Sequence, residues 1–528
     1  MIAAVALLTG FAVMVVELSA VRMLASSFGD SAPVWTNVIG VILAALALGA
    51  VTGGWLADRG NAHRILPVAL LVSGGLVLLA PMLAPRVAAW ILPEALPLDR
   101  ALAVLIEGSL AVSLLVFAPA VLLLGAVSPL LIRLGSESAE ETVGRVSGLV
   151  YATGTVGSLI GTFLATHVLV PRLGVSGAFL FAGVSLCVAG ALALAGRGSL
   201  IAGGIALLAT LGAVVPAPPP VWLAEGDEIV EQRESYYQLL RVIEGREPML
   251  DRPRRIRSLK INEGLDSYHS VWIDGSPFTN GRYYDSFALL PFLRGDVESG
   301  EELRVLSLGC AAGSILRVLR AVVGEERLAA VGVDLDPDVI ELGRKWFGLP
   351  EDGARQRMVG NLDARVYVER VREHGELFDL ICVDTYRNQI YLPPHLTSVE
   401  FFRAVRARLT KAGVVALNVG DLSHEGPVIS AVAGTLAAVF PCVESFRVAR
   451  ARNFLLFGHS GSPGRMPSAL SRSRRPAGLS EKLWGHAMRP GAYRTWKGLP
   501  ESECLTDLRS NLGKLHERIY GRLPVRVQ

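Results

Sequence analysis

The residues best placed to do chemistry lie between 304 and 384, where short polar or glycine-rich turns follow apolar runs. Leu308-Gly309-Cys310-Ala311-Ala312-Gly313-Ser314 joins a strand-like run to a helical one. Small side chains at such a turn let the backbone approach a ligand, and the helix behind it presents free N–H groups. The next apolar run ends in Gly332-Val333-Asp334-Leu335-Asp336-Pro337, where an acidic side chain can accept both hydroxyls of a ribose. Asn361-Leu362-Asp363-Ala364 closes a third run and offers a carboxylate to an exocyclic amine such as that of adenine. Asp384 closes a fourth, Phe378–Val383, and points at the same crevice as a candidate general base. Together these features describe a nucleoside site with Gly309, Gly313, Asp334, Asp363 and Ala364 as its contacts. The segment Tyr386–Leu396 follows, where a lid over the crevice would lie. Within it, Arg387 suits an anionic group such as a phosphate or carboxylate, and suits a solvated loop equally well. His395 reads as a residue leading into the next helix more readily than as a base.

The elements that must carry these residues alternate. Arg304–Leu308, Ala329–Val333, Phe378–Val383 and Val414–Val419 are strand-like, and Ser314–Val323, Pro337–Phe347 and Ser398–Leu409 are helical. That order predicts a parallel, doubly wound sheet. Three β-like runs precede it, Tyr236–Glu244, Ile256–Asn262 and Ser270–Asp274, the last closed by an Asp-Gly turn.

The first 217 residues are built differently. They contain no lysine and consist mostly of Ala, Leu, Val and Gly, whereas residues 225–528 have the make-up of an ordinary soluble enzyme. Mean hydropathy over the whole chain is +0.43 and only 19% of residues are charged. Apolar stretches near the ~20 residues that cross a bilayer occur at 2–21, 34–57, 65–83, 103–132, 146–170, 175–196 and 199–216. These predict about seven transmembrane helices, with Pro119 kinking or dividing the fourth. Gly148, Thr155, Gly157 and Gly161 would admit a close neighbour to the fifth. Glu17, Glu107 and His167 fall inside spans, where ionisable groups either line a polar cavity or pair near the interface, as Glu17 could with Arg22. Met1–Gly10 lacks the basic start of a signal peptide. Five cysteines without CxxC spacing argue against a disulfide framework or a zinc site, so no metal is expected. The net charge of +3 gives no reason to expect a nucleic-acid partner. Pro216–Pro220 ends the apolar region as a stiff spacer. The expected domains are thus a helical bundle over 1–217, a Pro-rich linker over 218–225, a nucleotide-binding domain over 226–460, and a basic linker with a tail over 461–528.

A resemblance sharpens the second half. Glu234-Ser235-Tyr236-Tyr237-Gln238, Ile273-Asp274-Gly275, Tyr283-Tyr284-Asp285, the glycine turn, Asp334, Asp363-Ala364 and Phe378–Asp384 resemble the motifs of the spermidine synthase (polyamine aminopropyltransferase) family over residues 230–460. The whole chain is similar to members of that group with transmembrane helices in front of the synthase domain. The resemblance implies a Rossmann-like fold of the class I methyltransferase type behind a small N-terminal β region. It implies nucleoside contacts at Gln238, Asp334, Asp363 and Ala364, and decarboxylated S-adenosylmethionine, or S-adenosylmethionine itself, as the small molecule bound. It places the amine acceptor near Tyr284, Asp285, Arg387 and Tyr391, with Asp384 as proton acceptor. The family's amine-binding histidine falls on Tyr284, the aspartate of its glycine turn on Ala312 and its second aspartate on Arg387. The implied activity is aminopropyl transfer to an amine, in polyamine biosynthesis, by a multi-pass protein of the cell membrane. The soluble domain is expected in the cytoplasm, where the adenosyl compound is supplied. Two alternatives stay open: S-adenosylmethionine-dependent methylation of a lipid or other apolar substrate, and a sensor or transporter that binds a nucleoside or polyamine without turnover. The expected partners are a small amine or apolar substrate and the lipid bilayer, and a homodimer is an assembly the resemblance allows.

Overall fold

The computed structural model describes residues 1–28, 32–92, 101–138, 142–194, 223, 226–249, 252–262, 268–293, 300–374, 376–386, 391–449, 451–459, 466–507, 510, 512 and 515–516. The chain divides into two compact units, Met1–Trp222 with Asn262–Leu265, and Leu223–Ile261 with Asp266–Gln528.

The first unit is helical: α1 (Ile2–Phe28), α2 (Ala32–Asp58), α3 (Ala62–Ile91), α4 (Ala101–Val112), α5 (Ala118–Ser138), α6 (Val143–Leu164) and α7 (Val170–Ala193). Among the described residues, six stretches are long and apolar enough to cross a membrane: Ile2–Ala25, Pro33–Asp58, Ala62–Ile91, Ile106–Glu137, Val143–Leu169 and Arg172–Ala193. The seventh expected span, 199–216, lies outside the described residues, as does the linker at 218–222. Pro119 does not divide the fourth span. A π-helical stretch, Ser113–Phe117, joins α4 to α5 just ahead of it, and the wider turn accommodates a residue that has no N–H to give. α1 packs chiefly on α6, α2 on α5 and α3 on α7. Glycines make these approaches close. A Cβ on Gly157 would strike the backbone of Leu7, one on Gly161 the backbone of Phe11, and one on Gly49 the backbone of Leu122. Gly148 and Thr155 face outward instead and take no part in this packing. Glu107 and His167 are likewise exposed and Glu17 is half-buried, so the three do not line an interior cavity together.

The second unit holds two sheets. β1 (Glu228–Glu234), β2 (Leu239–Glu247), β3 (Arg254–Ile261) and β4 (Ser270–Ile273) form an antiparallel sheet in sequence order. The larger sheet comprises β5 (Leu303–Leu308), β6 (Leu328–Val333), β7 (Gln356–Val359), β8 (Phe378–Val383), β9 (Leu409–Gly420), β10 (Cys442–Arg447), β11 (Asn453–His459) and β12 (Tyr493–Trp496). Its order is β12-β10-β11-β9-β8-β5-β6-β7. The five strands from β7 to β9 are parallel, and β8 is buried along its whole length, as a strand covered by helices on both faces should be. The expected strands are parallel as read from the sequence, and at one edge β11, β10 and β12 add antiparallel strands. β12 comes from residues expected to be a linker and tail. The stretch 466–507 instead belongs to this unit, with Met466, Leu470, Leu479, Leu483, Cys504 and Leu505 buried in its cores.

Candidate nucleoside and proton-transfer site

The parallel strands β5, β6, β7 and β8 bring their C-terminal ends to one edge, the position where open α/β sheets bind ligands. At the end of β5 the chain turns through Gly309 (φ +72°) and Ala311 (φ +45°) to Gly313 (φ +86°), which precedes helix Ser314–Val323. Gly309 and Cys310 both donate backbone N–H bonds to the carbonyl of Val333, at 2.8 and 3.0 Å. A Cβ on Gly309 would lie 2.5 Å from the carbonyl oxygen of Asp384, so glycine is what lets this turn lie beside the end of β8.

Asp334, at the end of β6, is held by the same turn. Its Oδ2 accepts from the Ala311 N–H at 2.9 Å and its Oδ1 from the Asp336 N–H at 3.0 Å. Burial pushes its carboxyl up to about 6, with those backbone bonds opposing the shift. Asp336 is buried, caps helix Pro337–Phe347 through the Asp338 N–H, and accepts from Ser235 Oγ (2.5 Å) and Gln238 Nε2 (3.1 Å). Gln238 is thereby tied to the Asp334 loop from the β1–β2 turn. Across the mouth, the Tyr237 hydroxyl donates to Asn361 Oδ1 at 2.6 Å.

Asp363 stands ahead of helix Ala364–His374. Its Oδ1 accepts from the N–H groups of Arg365 (2.8 Å) and Val366 (3.3 Å), and its Oδ2 contacts His395 Nε2 at 3.1 Å. The His395 contact, more than any other, holds its carboxyl below the usual range. His395 is thus a partner of the carboxylate expected to read the base, a role the sequence reading did not give it.

Asp384 sits at the fourth strand end. Its Oδ1 accepts from Asn418 Nδ2 at 2.9 Å and its Oδ2 from the Tyr283 hydroxyl at 2.8 Å. Burial pushes this carboxyl up to about 6 against the pull of both donors. Asn418 Oδ1 accepts in turn from Asn453 Nδ2 at 2.9 Å, which fixes which end of the amide faces Asp384. The Tyr386 hydroxyl bridges the Asn418 carbonyl (3.0 Å) and the Gly420 N–H (2.8 Å). Tyr283 is driven well above its ordinary value by burial and then by the Asp384 charge, so its hydroxyl stays a donor.

Two residues expected at the acceptor side have hydrogen-bond partners within the protein. Tyr284 is buried and donates to the Tyr268 carbonyl at 3.1 Å, while its neighbour Tyr283 reaches Asp384. Asp285 is fully buried. Its oxygens accept from the Thr279 N–H (2.8 Å), the Thr279 hydroxyl (2.8 Å) and the Gly281 N–H (2.7 Å), so it holds the turn. Tyr391 is half-buried against His516, with ring centroids 5.2 Å apart. Arg387 lies outside the described residues. No group of three or more metal-ligating side chains occurs among the described residues.

Sequence reasoning missed Tyr283, Asn418 and Asn453. Asn418 had a readable signal, since it is the one amide in the apolar run Val414–Val419 and the parallel register sets Val383 beside Leu417.

A parallel sheet with a glycine turn after its first strand and carboxylates at the ends of the next three defines a Rossmann-like fold of the class I methyltransferase and spermidine synthase type. No family model matches the chain. A probable polyamine aminopropyl transferase of Bifidobacterium longum is 30% identical over 161 residues, covering 30% of this chain and 33% of its own. A polyamine aminopropyltransferase of Pyrobaculum calidifontis is 31% identical over 201 residues, covering 36% of this chain and 65% of its own. Among solved structures, a probable spermidine synthase from Corynebacterium glutamicum aligns over 52% of this chain and 98% of its own, at 21% identity and a TM-score of 0.36. Stretches of 136–201 residues of this chain are thus similar in sequence to polyamine aminopropyltransferases. The matched stretches span a third to a half of the first three relatives, 33%, 44% and 50% of their lengths.

Proposed function

We propose that this protein is a membrane-anchored transferase that binds an adenosyl sulfonium donor and moves its aminopropyl group to an amine. The observation that carries the reading is Asp384: a carboxylate of raised pKa, clamped by Tyr283 and Asn418 beside the glycine turn. In this reading Asp334 accepts the ribose hydroxyls and the turn from Gly309 to Gly313 lies along the nucleoside. Asp363 takes the adenine amine, with Ala364 at the ring edge, while Gln238 closes the far side. The acceptor nitrogen attacks the propyl carbon next to sulfur, the C–S bond breaks, and its electron pair neutralises the sulfonium. The nitrogen's proton goes to Asp384. Positioning two reactants accounts for most of the acceleration in such a step, and a base near neutrality adds to it. The names of the relatives support the same chemistry.

The acceptor departs from a short diamine. Ala312 supplies no charge, and Asp285 is consumed by its own turn. A second ammonium would find less compensation here than two free carboxylates would give. We therefore assign an amine with one cationic end, with Tyr283 and Tyr391 beside it and Arg387 available to an anionic group. The helical unit anchors the protein as a multi-pass protein of the cell membrane, with the α/β unit on the cytoplasmic side where the donor is made. A second reading, methyl transfer from S-adenosylmethionine to a lipid or other apolar acceptor, is favoured by Ala312 together with the six apolar helices.

Calorimetry of the detergent-purified protein against decarboxylated S-adenosylmethionine, S-adenosylmethionine and thioadenosine tests the site, followed by an amine-acceptor assay that includes putrescine. Tight binding of the decarboxylated donor with product from a monocationic amine is the expected result. Binding of S-adenosylmethionine in preference, with methylated product, would replace it by the second reading. The absence of any nucleoside binding would sink both.

A further inference from the structure

The tail of the α/β unit reaches the nucleoside site through a closed ring of contacts. Asp363 Oδ1 is occupied by two helix N–H groups, which leaves Oδ2 as its outward oxygen, and His395 Nε2 contacts it at 3.1 Å. The backbone carbonyl of His395 accepts from Arg365 Nη1 at 3.0 Å. That guanidinium also grips both oxygens of Asp507, Nη1 to Oδ1 at 3.0 Å and Nη2 to Oδ2 at 2.9 Å. Asp507 Oδ1 accepts from Ser398 Oγ at 2.5 Å, and the Asp507 N–H donates to Glu400 Oε2 at 3.2 Å. Ser398 caps helix Val399–Arg406, so the ring closes on the loop that carries His395.

The segment that delivers Asp507 is itself fastened. Leu499 N–H donates to the Gly434 carbonyl, Val399 N–H to the Leu505 carbonyl and Leu505 N–H to Thr435 Oγ1, at 3.1, 2.8 and 3.0 Å. Cys504 and Leu505 are buried in the core that also takes Leu392, Leu396 and Val399. A two-pronged arginine–carboxylate pair fixes direction as well as distance. The pair here is only partly exposed, 16% for Arg365 and 39% for Asp507.

We propose that residues 499–507 act as a strap in which Asp507 is a positioning residue for the nucleoside: it holds Arg365 on the outer side of the helix and, through Arg365, holds the His395 loop against Asp363. Without Asp507 the guanidinium keeps its Nε contact with Glu369 Oε1 at 2.8 Å but loses the carboxylate that aims its two Nη groups, and the His395 loop loses the side of its tether that runs through Asp507 and Ser398. The inference rests on the nucleoside reading given above.

The test compares full-length Asp507→Ala with wild type in detergent, reading thioadenosine Kd by calorimetry, acceptor KM at saturating donor, and unfolding temperature. Asp507→Ala should raise the thioadenosine Kd about tenfold, the scale of a lost hydrogen-bonded charge pair, and leave acceptor KM within about twofold. Asp507→Glu should recover most of the loss. Arg365→Lys, which keeps the charge but cannot span both Asp507 oxygens and the His395 carbonyl, should repeat it and serves if Asp507→Ala does not fold. An unchanged Kd in Asp507→Ala, or in Arg365→Lys where that variant stands in, would overturn the proposal. So would a rise of Kd and KM together in step with a lowered unfolding temperature, the mark of a merely structural strap. Loss of nucleoside binding already in wild type would instead overturn the reading of the crevice on which it depends.

Discussion

In the proposed reading Asp384 is the residue on which the chemistry turns, and its environment makes opposite demands on its two protonation states. Burial favours the neutral acid, while the donors Asn418 and Tyr283 favour the carboxylate, and the balance leaves it at about 6. A proton acceptor must be ionised, so turnover should rise with pH and level off above about 6, which a pH–rate profile with donor saturating reads directly. Tyr283→Phe removes a donor that stabilises the charge, so the acid limb of that profile should move to higher pH, by on the order of one unit. A limb that stays put would mean that another group sets it. Asp384→Asn should cut turnover by roughly 10²–10⁴-fold while thioadenosine affinity changes little, since the base is not a nucleoside contact. The Asn418–Asn453 chain explains why Asp384 can be both fixed and unneutralised: it supplies dipoles where a cation would have dropped the pKa too far.

At the scale of elements, the turn after β5 is the part least tolerant of change. Gly309 combines a positive φ with an approach to the Asp384 carbonyl that a side chain would block. Gly309→Ala should therefore cost about 1–3 kcal/mol in stability and displace the end of β8 with it. Thermal unfolding and turnover would fall together, unlike in Asp384→Asn. Much of this framework was legible beforehand. The strand-turn-helix alternation, the three strand-end aspartates and the glycine turn all follow from periodicity and from residue types at run boundaries. What was not legible has a common physical cause. β10 and β11 form a hairpin, but β11 joins β9 and β12 joins β10 across long intervening stretches, and no local pattern says which edge a late strand will join. Tyr283 and Tyr284 are adjacent on a 3-10 turn, so a shift of one residue decides which faces the carboxylate. Asp285 has the look of a ligand, yet it spends both oxygens on the backbone of Thr279 and Gly281 and on the Thr279 hydroxyl. A sequence shows that a carboxylate is present and does not show which donors reach it first.

For the molecule as a whole, the helical unit governs handling and assembly. Its six apolar stretches should keep the protein in the pellet through alkaline carbonate extraction and release it only to detergent; recovery in the aqueous phase would refute the anchoring. Gly157→Leu should drive α1 and α6 apart and lower the unfolding temperature in detergent, by an amount equivalent to about 1–3 kcal/mol, because Leu7 backbone occupies the space. The pairing of α1 with α6, α2 with α5 and α3 with α7 also bears on how the protein is made. In the membrane-anchored reading each early helix would enter the bilayer well before its principal neighbour has been synthesised. The glycine-lined contacts of α1 wait for residues near Gly157 and Gly161, and those of α3 wait for α7. In that reading the first three helices would enter with only their smaller mutual contacts, and the main pairings of α1 and α3 would form as α6 and α7 arrive. A chain stopped after α5 should thus be membrane-inserted yet quickly degraded, and the α/β unit is translated after the described helices.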